Sequence, residues 1–345
     1  MDRSFRLVFA GLTVAMLLLG CSMLNSNTPA RSQLPTDLAN YRQAADYSEA
    51  NEGLAMLVAQ QGKVIFESYA PGIPANQPHP LASGTKSFSC AIAVAAIQDG
   101  LLSFDEPVSQ TITEWRSDAV RSKITLRQLL SLTSGLSGGT LGRVPTYTEA
   151  LQQPLTAEPG TRFQYGPVPF QIFGELIRRK LAKAGMSEDP LAYLQRQVLT
   201  PIGLQIGDWK RSADGMPNLP SGASLTAHEW AKFGILIANR GQWKGQSLLK
   251  PELLSNCFQG SRINPAYGLT FWLNVEGEMP RNRPFHRIKP APRNLVMAIG
   301  AGNQSLYIFP SEQLVIVRQG KLKLRTLLQR GTFEHQRFLS LALGR

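Results

Sequence analysis

The sequence predicts an α+β fold: one antiparallel sheet built from both ends of the chain, with a mainly helical region, about residues 81–260, inserted between them. Three observations point to it. The stretch GLAMLVAQQGKVIFESYA (53–70) alternates apolar and polar residues and turns at Gln61-Gly62, as a hairpin does. Helix start and stop signals dominate the middle of the chain. Strand patterns then return in YGLTFWLNVEG (267–277), NLVMAIG (294–300), SLYIFP (305–310) and QLVIVRQG (313–320), followed by a last helix over 323–343. The 345 residues, 43% hydrophobic and 17% charged, suffice for a large core and exclude a disordered chain.

The N-terminus is set apart from the fold. Arg3 and Arg6 precede an apolar run (7–19) that ends in Gly20-Cys21, the pattern of a secretory signal. The run is short for a membrane span, which needs roughly 20 residues. LLLGC followed by the polar SMLNSNTPARSQ resembles the lipobox of bacterial lipoproteins. That resemblance implies cleavage after residue 20, lipid on Cys21, and a mature protein exported and held at the membranes of the bacterial cell envelope. An uncleaved anchor or a soluble secreted form is the alternative. Residues 21–50 then read as a polar tether, in which DLANYRQAADYSEAN could form a short surface helix, and 51–345 as the folded domain.

Each helix of the middle region has its own signal. Thr125 and Gln128 are spaced as a capping box with Gly135 as a stop; FQIFGELIRRKLAKAG (170–185) and PLAYLQRQVLTPIG (190–203) follow; Thr226 and Glu229 form a second box. The first helix raises a chemical question. LASGTKSFSC (81–90) leads into the apolar run AIAVAAIQDGLL, which reads as a buried helix, yet it carries Lys86. A cation facing a core is costly. Either the side chain reaches solvent or it has a chemical role.

Two serines are candidates for a nucleophile. GLSGG (135–139) matches the G-x-S-x-G elbow around Ser137, but an elbow needs a strand before it and a helix after it. Here a helix precedes and the loop GTLGRVPTY follows, so the segment reads as a helix terminus. Ser83 and Lys86 share one helix face, about 4.5 Å apart along the axis. A neutral Lys86 could take the proton of the Ser83 hydroxyl. Desolvation and a second cation would each lower its pKa from about 10.4. Backbone N–H groups at the helix start could hold an oxyanion. A lone S-x-x-K is common, and an exposed lysine is its ordinary explanation.

Its company makes it specific. ASGTKSF (82–88), ITLRQLLSLTSGLSGG (124–139), EPGTRFQYG (158–166), PIGL (201–204), SGASLTAHEWAKFG (221–234), NPAYGLTFWLN (264–274) and AIGAGNQSLYIFPSEQLVIV (298–317) resemble, in this order, the serine β-lactamase and penicillin-binding-protein superfamily. The likeness is to its class C-like branch, with its esterases, D-amino-acid peptidases and 6-aminohexanoate-dimer hydrolase. It covers roughly residues 50–320. It implies a serine hydrolase without cofactor, with Ser83 as the acylated nucleophile, Lys86 as its base, and Tyr165 as the phenol that shuttles a proton to the leaving group. The backbone N–H groups of Ser83 and Ala301 would form the oxyanion hole. Gly300, Gly302 and Trp272 would border the substrate, and, apart from the resemblance, Arg283, Arg287 or Arg293 could supply carboxylate recognition because their basic segment just precedes the strand carrying Gly300. Read without the resemblance, Tyr165 is a buried aromatic, and Gly300 and Gly302 mark a strand bulge.

Two departures bear on substrate. The family's Tyr-x-Asn reads Tyr165-Gly166-Pro167, and its Lys-Thr-Gly reads Ala298-Ile299-Gly300. The groups that grip a β-lactam's side chain and carboxylate are absent. Small esters, amides or short peptide-like molecules are the expected substrates, with weak or no β-lactamase activity. A silent β-lactamase-fold scaffold of the envelope is the competing class, although a scaffold needs none of Ser83, Lys86 and Tyr165. A Ser-His-Asp esterase is a third, but His79, His228, His286 and His335 sit in no motif.

Cys90 and Cys257 remain after Cys21; export would permit a pair, yet both read as buried free thiols. The net charge of +12 gathers in Arg281, Arg283, Arg287, Lys289 and Arg293, and in residues 318–345, where Glu334 is the only acid. It suits an anionic lipid surface or anionic substrates. No aromatic-basic reader motif accompanies it, so nucleic acid is not an expected partner. A monomer without bound metal is expected.

Overall fold

The computed structural model describes residues 38–187, 189–322 and 333–345. Cys21 and the signal-like segment lie outside them, as do residues 323–332 of the expected last helix.

The described residues begin with helix α1 (Leu38–Ala50) and the hairpin β1 (Gly53–Gln60) and β2 (Lys63–Tyr69). The hairpin turns at Gln61 and Gly62, both at positive φ. After β3 (His79–Pro80) and a 3-10 turn (Ala82–Ser87) come the helices α2 (Phe88–Gln98), α3 (Leu126–Leu130), α4 (Tyr147–Leu151), α5 (Val168–Lys183) and α6 (Pro190–Leu194). Strands β4 (Asp208–Trp209) and β5 (Ala223–Leu225) join β3 in a small sheet, and α7 (Ala227–Ala238) follows. A short hairpin of β6 (Gln242–Trp243) and β7 (Gln246–Ser247) leads to α8 (Pro251–Leu254). The last part holds β8 (Trp272–Leu273), the hairpin β9 (Gly277–Met279) and β10 (Arg283–Phe285), then β11 (Val296–Gly300), β12 (Gln304–Phe309), β13 (Leu314–Gly320) and α9 (His335–Leu343).

The main sheet is antiparallel, in the order β2-β1-β13-β12-β11-β8. The N-terminal β1 pairs with the C-terminal β13 over its whole length, Met56 opposite Arg318 and Val58 opposite Ile316. Both chain ends therefore build one sheet, as the strand-helix-strand order predicts.

Helices cover both faces. Helix α2 is apolar all round and buried from Phe88 to Ala96, as a helix inside a core must be. Helix α7 lies on β12, β13 and β1, where Gly234 permits close approach: a Cβ there would come within 2.7 Å of Val315 Cγ1 and 2.9 Å of Leu306 Cδ1. The opposite face carries α1 and α9, which pack on each other.

Four expectations need correction. Residues 38–50 form the helix allowed for DLANYRQAADYSEAN, here α1, but not as a surface segment of a tether: Tyr41, Ala44, Ala45 and Ser48 are buried, so the folded unit starts before residue 51. The side chains of an apparently polar segment supply one buried stripe. Cys90 and Cys257 are not free thiols. They form a disulfide with a Cα–Cα distance of 6.2 Å, linking α2 to the turn after α8, a proximity that spacing could not reveal. The middle region is less regular than its signals suggest, with short helices and 3-10 turns. The Thr226 box is half-made: Thr226 Oγ1 accepts from the Glu229 N–H at 3.1 Å, but the Glu229 carboxylate goes to the Gln205 N–H and Lys232. The Thr125–Gln128 box is complete.

Candidate active site

Ser83 and Lys86 lie not in the expected α-helix but in the 3-10 turn before α2. At three residues per turn, positions i and i+3 eclipse, which brings the two side chains closer in line than an α-helix would. The turn is fastened by Thr85 Oγ1 donating to the Ala82 carbonyl at 2.7 Å and accepting from the Ala223 N–H at 3.2 Å, and by Ser87 Oγ donating to the Gly84 carbonyl at 2.8 Å. Ala82 is held at φ +47°, where a residue with a Cβ is strained, immediately before the candidate nucleophile.

Lys86 does not reach solvent. Only 3% of it is exposed, and its Nζ lies 2.9 Å from Ser83 Oγ and 3.1 Å from the Pro220 carbonyl. The rings of Tyr165 and Phe170 stand 4.9 and 5.3 Å from the nitrogen. Burial lowers its pKa to about 7. The second cation expected from the sequence does not contribute; desolvation alone accounts for the shift.

Tyr165 meets both members of the pair. Burial pushes its phenol up to about 12, while contacts with Ser83 and Trp272 draw it partly back. Its loop is held by Gln164 N–H donating to the Leu132 carbonyl at 2.8 Å and Val168 N–H to the Gly138 carbonyl at 3.3 Å. Gly166 is required there, because a Cβ would fall 1.8 Å from the Gly138 oxygen. The GLSGG segment thus serves as a bed for the Tyr165 loop. Ser137 Oγ accepts from the Gly139 N–H, and no base is among its partners.

Strand β11 closes the group. Gly300 lies so near the turn that a Cβ would come 2.1 Å from the Leu81 carbonyl and 3.1 Å from the Ser83 nitrogen. The strand therefore ends against the Ser83 peptide, and Ala301 is the next residue.

The other site candidates separate. Trp272 is 3% exposed and stacks on Tyr165 at 5.7 Å and on Phe285 at 5.6 Å, so it backs the phenol instead of lining an open cleft. Arg283 lines a cavity of about 460 Å³ with Arg162, Gly277, Glu278, Asn282 and Pro284. Arg287 turns into its own loop, donating from Nη2 to the Ala291 carbonyl at 3.3 Å. Gly302 belongs to the β11–β12 turn at φ +76°, facing the Lys321 carbonyl.

Sequence reasoning missed Pro220, Phe170 and Gln171. Gln171 Nε2 donates to the Pro145 carbonyl and Ser212 Oγ, and its Oε1 accepts from the Leu219 N–H, fixing the loop that presents Pro220. No local signal marks these residues, since they act through contacts between distant segments. Three of the four histidines bond elsewhere, His228 to Glu67, His286 to Glu276 and His335 to Tyr307, and the fourth, His79, lies buried in β3. Among the described residues no group of three or more His, Cys, Asp and Glu could hold a metal ion, and no helix is long and apolar enough to cross a membrane.

The Beta-lactamase family matches residues 38–319. The chain belongs to that family. An uncharacterised protein of Alkalihalophilus pseudofirmus is 20% identical over 326 residues, 86% of this chain and 91% of that one. A family VIII carboxylesterase has a similar structure at a TM-score of 0.68 and 14% identity, covering 90% of this chain and 97% of its own. A candidate 6-aminohexanoate-dimer hydrolase from Bacillus anthracis gives 0.63 at 19% identity, with 80% and 75% covered. At these identities the structural likeness establishes the fold alone, and the family match is to Beta-lactamase.

Proposed function

We propose that the protein hydrolyses small esters or amides through an acyl-enzyme on Ser83. The observation that carries this reading is the buried Lys86 amine 2.9 Å from Ser83 Oγ, with a pKa brought to about 7. Near neutrality much of the amine is unprotonated and can accept the Ser83 proton. The oxygen then adds to the substrate carbonyl, and the resulting oxyanion is held by the N–H groups of Ser83 and Ala301. Tyr165 keeps its proton at neutral pH, so it can pass one to the leaving group and take in return the Ser83 proton held by Lys86, whose Nζ lies 4.9 Å from its ring, which restores the neutral amine for the second half. Lys86 and Tyr165 are pushed in opposite directions, which supports reading the first as base and the second as acid. Water repeats the sequence on the acyl-enzyme and frees Ser83.

Substrate choice follows from what surrounds the site. Pro167 and Ala298 replace the amide and the cation of the β-lactam-binding pattern, so β-lactam turnover is expected to be weak. Arg283 and Arg162 line a separate cavity in which Ser83, Lys86 and Tyr165 take no part; if a bound substrate extends to it, a guanidinium fork there is suited to a carboxylate. Export and a lipid on Cys21 complete the proposal. The Cys90–Cys257 disulfide supports export, since such bonds persist in oxidising compartments.

Mass spectrometry after fluorophosphonate treatment should place one adduct on Ser83, and a panel of neutral and carboxylate-bearing p-nitrophenyl esters, D-amino-acid amides and nitrocefin should show hydrolysis that Ser83→Ala abolishes. An adduct on Ser137 would overturn the nucleophile. No labelling and no Ser83-dependent turnover would leave the silent scaffold.

A further inference from the structure

Arg318, on β13, is a charged side chain with 0% exposure and no carboxylate partner among the described residues. Its guanidinium goes instead to three carbonyls: Nη1 donates to Gly302 at 3.2 Å and Asn303 at 2.9 Å, and Nη2 to Asn51 at 2.7 Å. Phe333 lies over it at 4.0 Å. Burial lowers its pKa to about 10. Such a placement is costly, because the charge gives up water for neutral acceptors. A residue that only filled the core there would be better apolar.

What the charge holds is the turn after Gly300. Residues 301–303 join β11 to β12, with Gly302 and Asn303 at positive φ. Gln304 pins the next residue through a reciprocal pair with Gly320: its Nε2 donates to the Gly320 carbonyl at 2.6 Å and its Oε1 accepts the Gly320 N–H at 3.1 Å. Strand alternation puts Arg318 on the face away from Val315 and Val317, hence away from α7 and toward α1 and α9. The turn is thus gripped from behind the sheet while its first residue, Ala301, stands next to the Gly300–Ser83 contact.

We propose that Arg318 is a positioning residue for the oxyanion hole, fixing the 301–303 turn so that the Ala301 N–H stays aimed at the substrate oxygen. This rests on the reading of Ser83 and Ala301 as the oxyanion donors. A preorganised donor loses its effect when its peptide can swing, and a misplacement of about 1 Å costs on the order of 100-fold in rate. Three carbonyls need the planar fork, so lysine is no substitute.

The test compares wild type with Arg318→Lys, Arg318→Met and Phe333→Leu, the last loosening the guanidinium should the Arg318 variants fail to fold. Ester kcat should fall about 10- to 100-fold for the Arg318 variants and less for Phe333→Leu, with KM changed by less than about threefold. The ³¹P resonance of the Ser83 phosphonate adduct, whose P–O sits in the oxyanion hole, should shift in the same order. A purely structural role would lower the melting temperature and leave kcat and the ³¹P shift of the folded fraction unchanged, and that result overturns the proposal. If Phe333→Leu is the only folded variant, unchanged kcat and shift in it overturn it equally. Failure of the function reading is seen separately, as wild type that takes no label at Ser83, and it removes this proposal with it.

Discussion

Lys86 Nζ lies 2.9 Å from Ser83 Oγ with almost none of the lysine exposed, and this pairing fixes how the chemistry should respond to pH. The base acts only when neutral. With its pKa lowered to about 7, kcat/KM for a neutral ester should fall about tenfold per unit below pH 7. Tyr165, raised to about 12, should give no descending limb below about pH 10. A rate still climbing steeply between pH 8 and 10 would show that Lys86 keeps an ordinary pKa and is not the base.

The same burial sets a stability signature. An amine that titrates near 7 when folded and near 10.4 when unfolded leaves the unfolded chain holding more protons between those values. Stability contributed by this group therefore rises with pH across the window, and its full cost is felt below pH 7. Lys86→Met should abolish turnover yet raise the melting temperature at pH 6, with the gain shrinking toward pH 10. Melting curves at the two pH values check it, and a gain that grows with pH contradicts the buried cation.

Gly300→Ala should cost activity without unfolding the protein. The added methyl would meet the Leu81 carbonyl at 2.1 Å and force β11 away from the Ser83 peptide. A drop of about 100-fold or more in kcat is expected, with circular dichroism unchanged. Wild-type kcat in that variant would show that the strand is not part of the site.

Replacing Cys90 and Cys257 together by Ala should lower stability by about 2–5 kcal/mol, since the bridge closes a loop of sequence separation 167 within the core. Denaturant titration with and without reductant measures it. At low temperature the folded double variant should retain fluorophosphonate labelling, because Lys86 is held by Ser83 Oγ and the Pro220 carbonyl and not by either sulfur.

Cys21→Ser should release the mature protein from membranes or stop its maturation, if the LLLGC segment is processed as a lipoprotein signal. Fractionation of the variant alongside wild type decides it, and identical membrane partition would exclude lipid on Cys21.

The sequence by itself determined the α+β order, the sheet made from both chain ends, and Ser83, Lys86 and Tyr165 as the residues to examine. Each was written in local terms: a period-2 or helical pattern, a capping box, or a motif whose members lie in fixed order. Only the tertiary structure decided what those residues experience. Lys86 can serve as the base because Tyr165 and Phe170, from one segment, and the Pro220 carbonyl, from another, enclose it, and desolvation is a property of the surroundings. The pairing of Cys90 with Cys257 and the grip of Arg318 on the 301–303 turn were equally invisible, since no local pattern encodes a contact between residues that meet only after the chain has closed on itself. Helix α1 was legible as a possible surface helix, but not its packing: Tyr41, Ala44 and Ala45 form one apolar stripe in a polar segment, and a stripe that narrow acquires meaning only when the sheet is there to receive it.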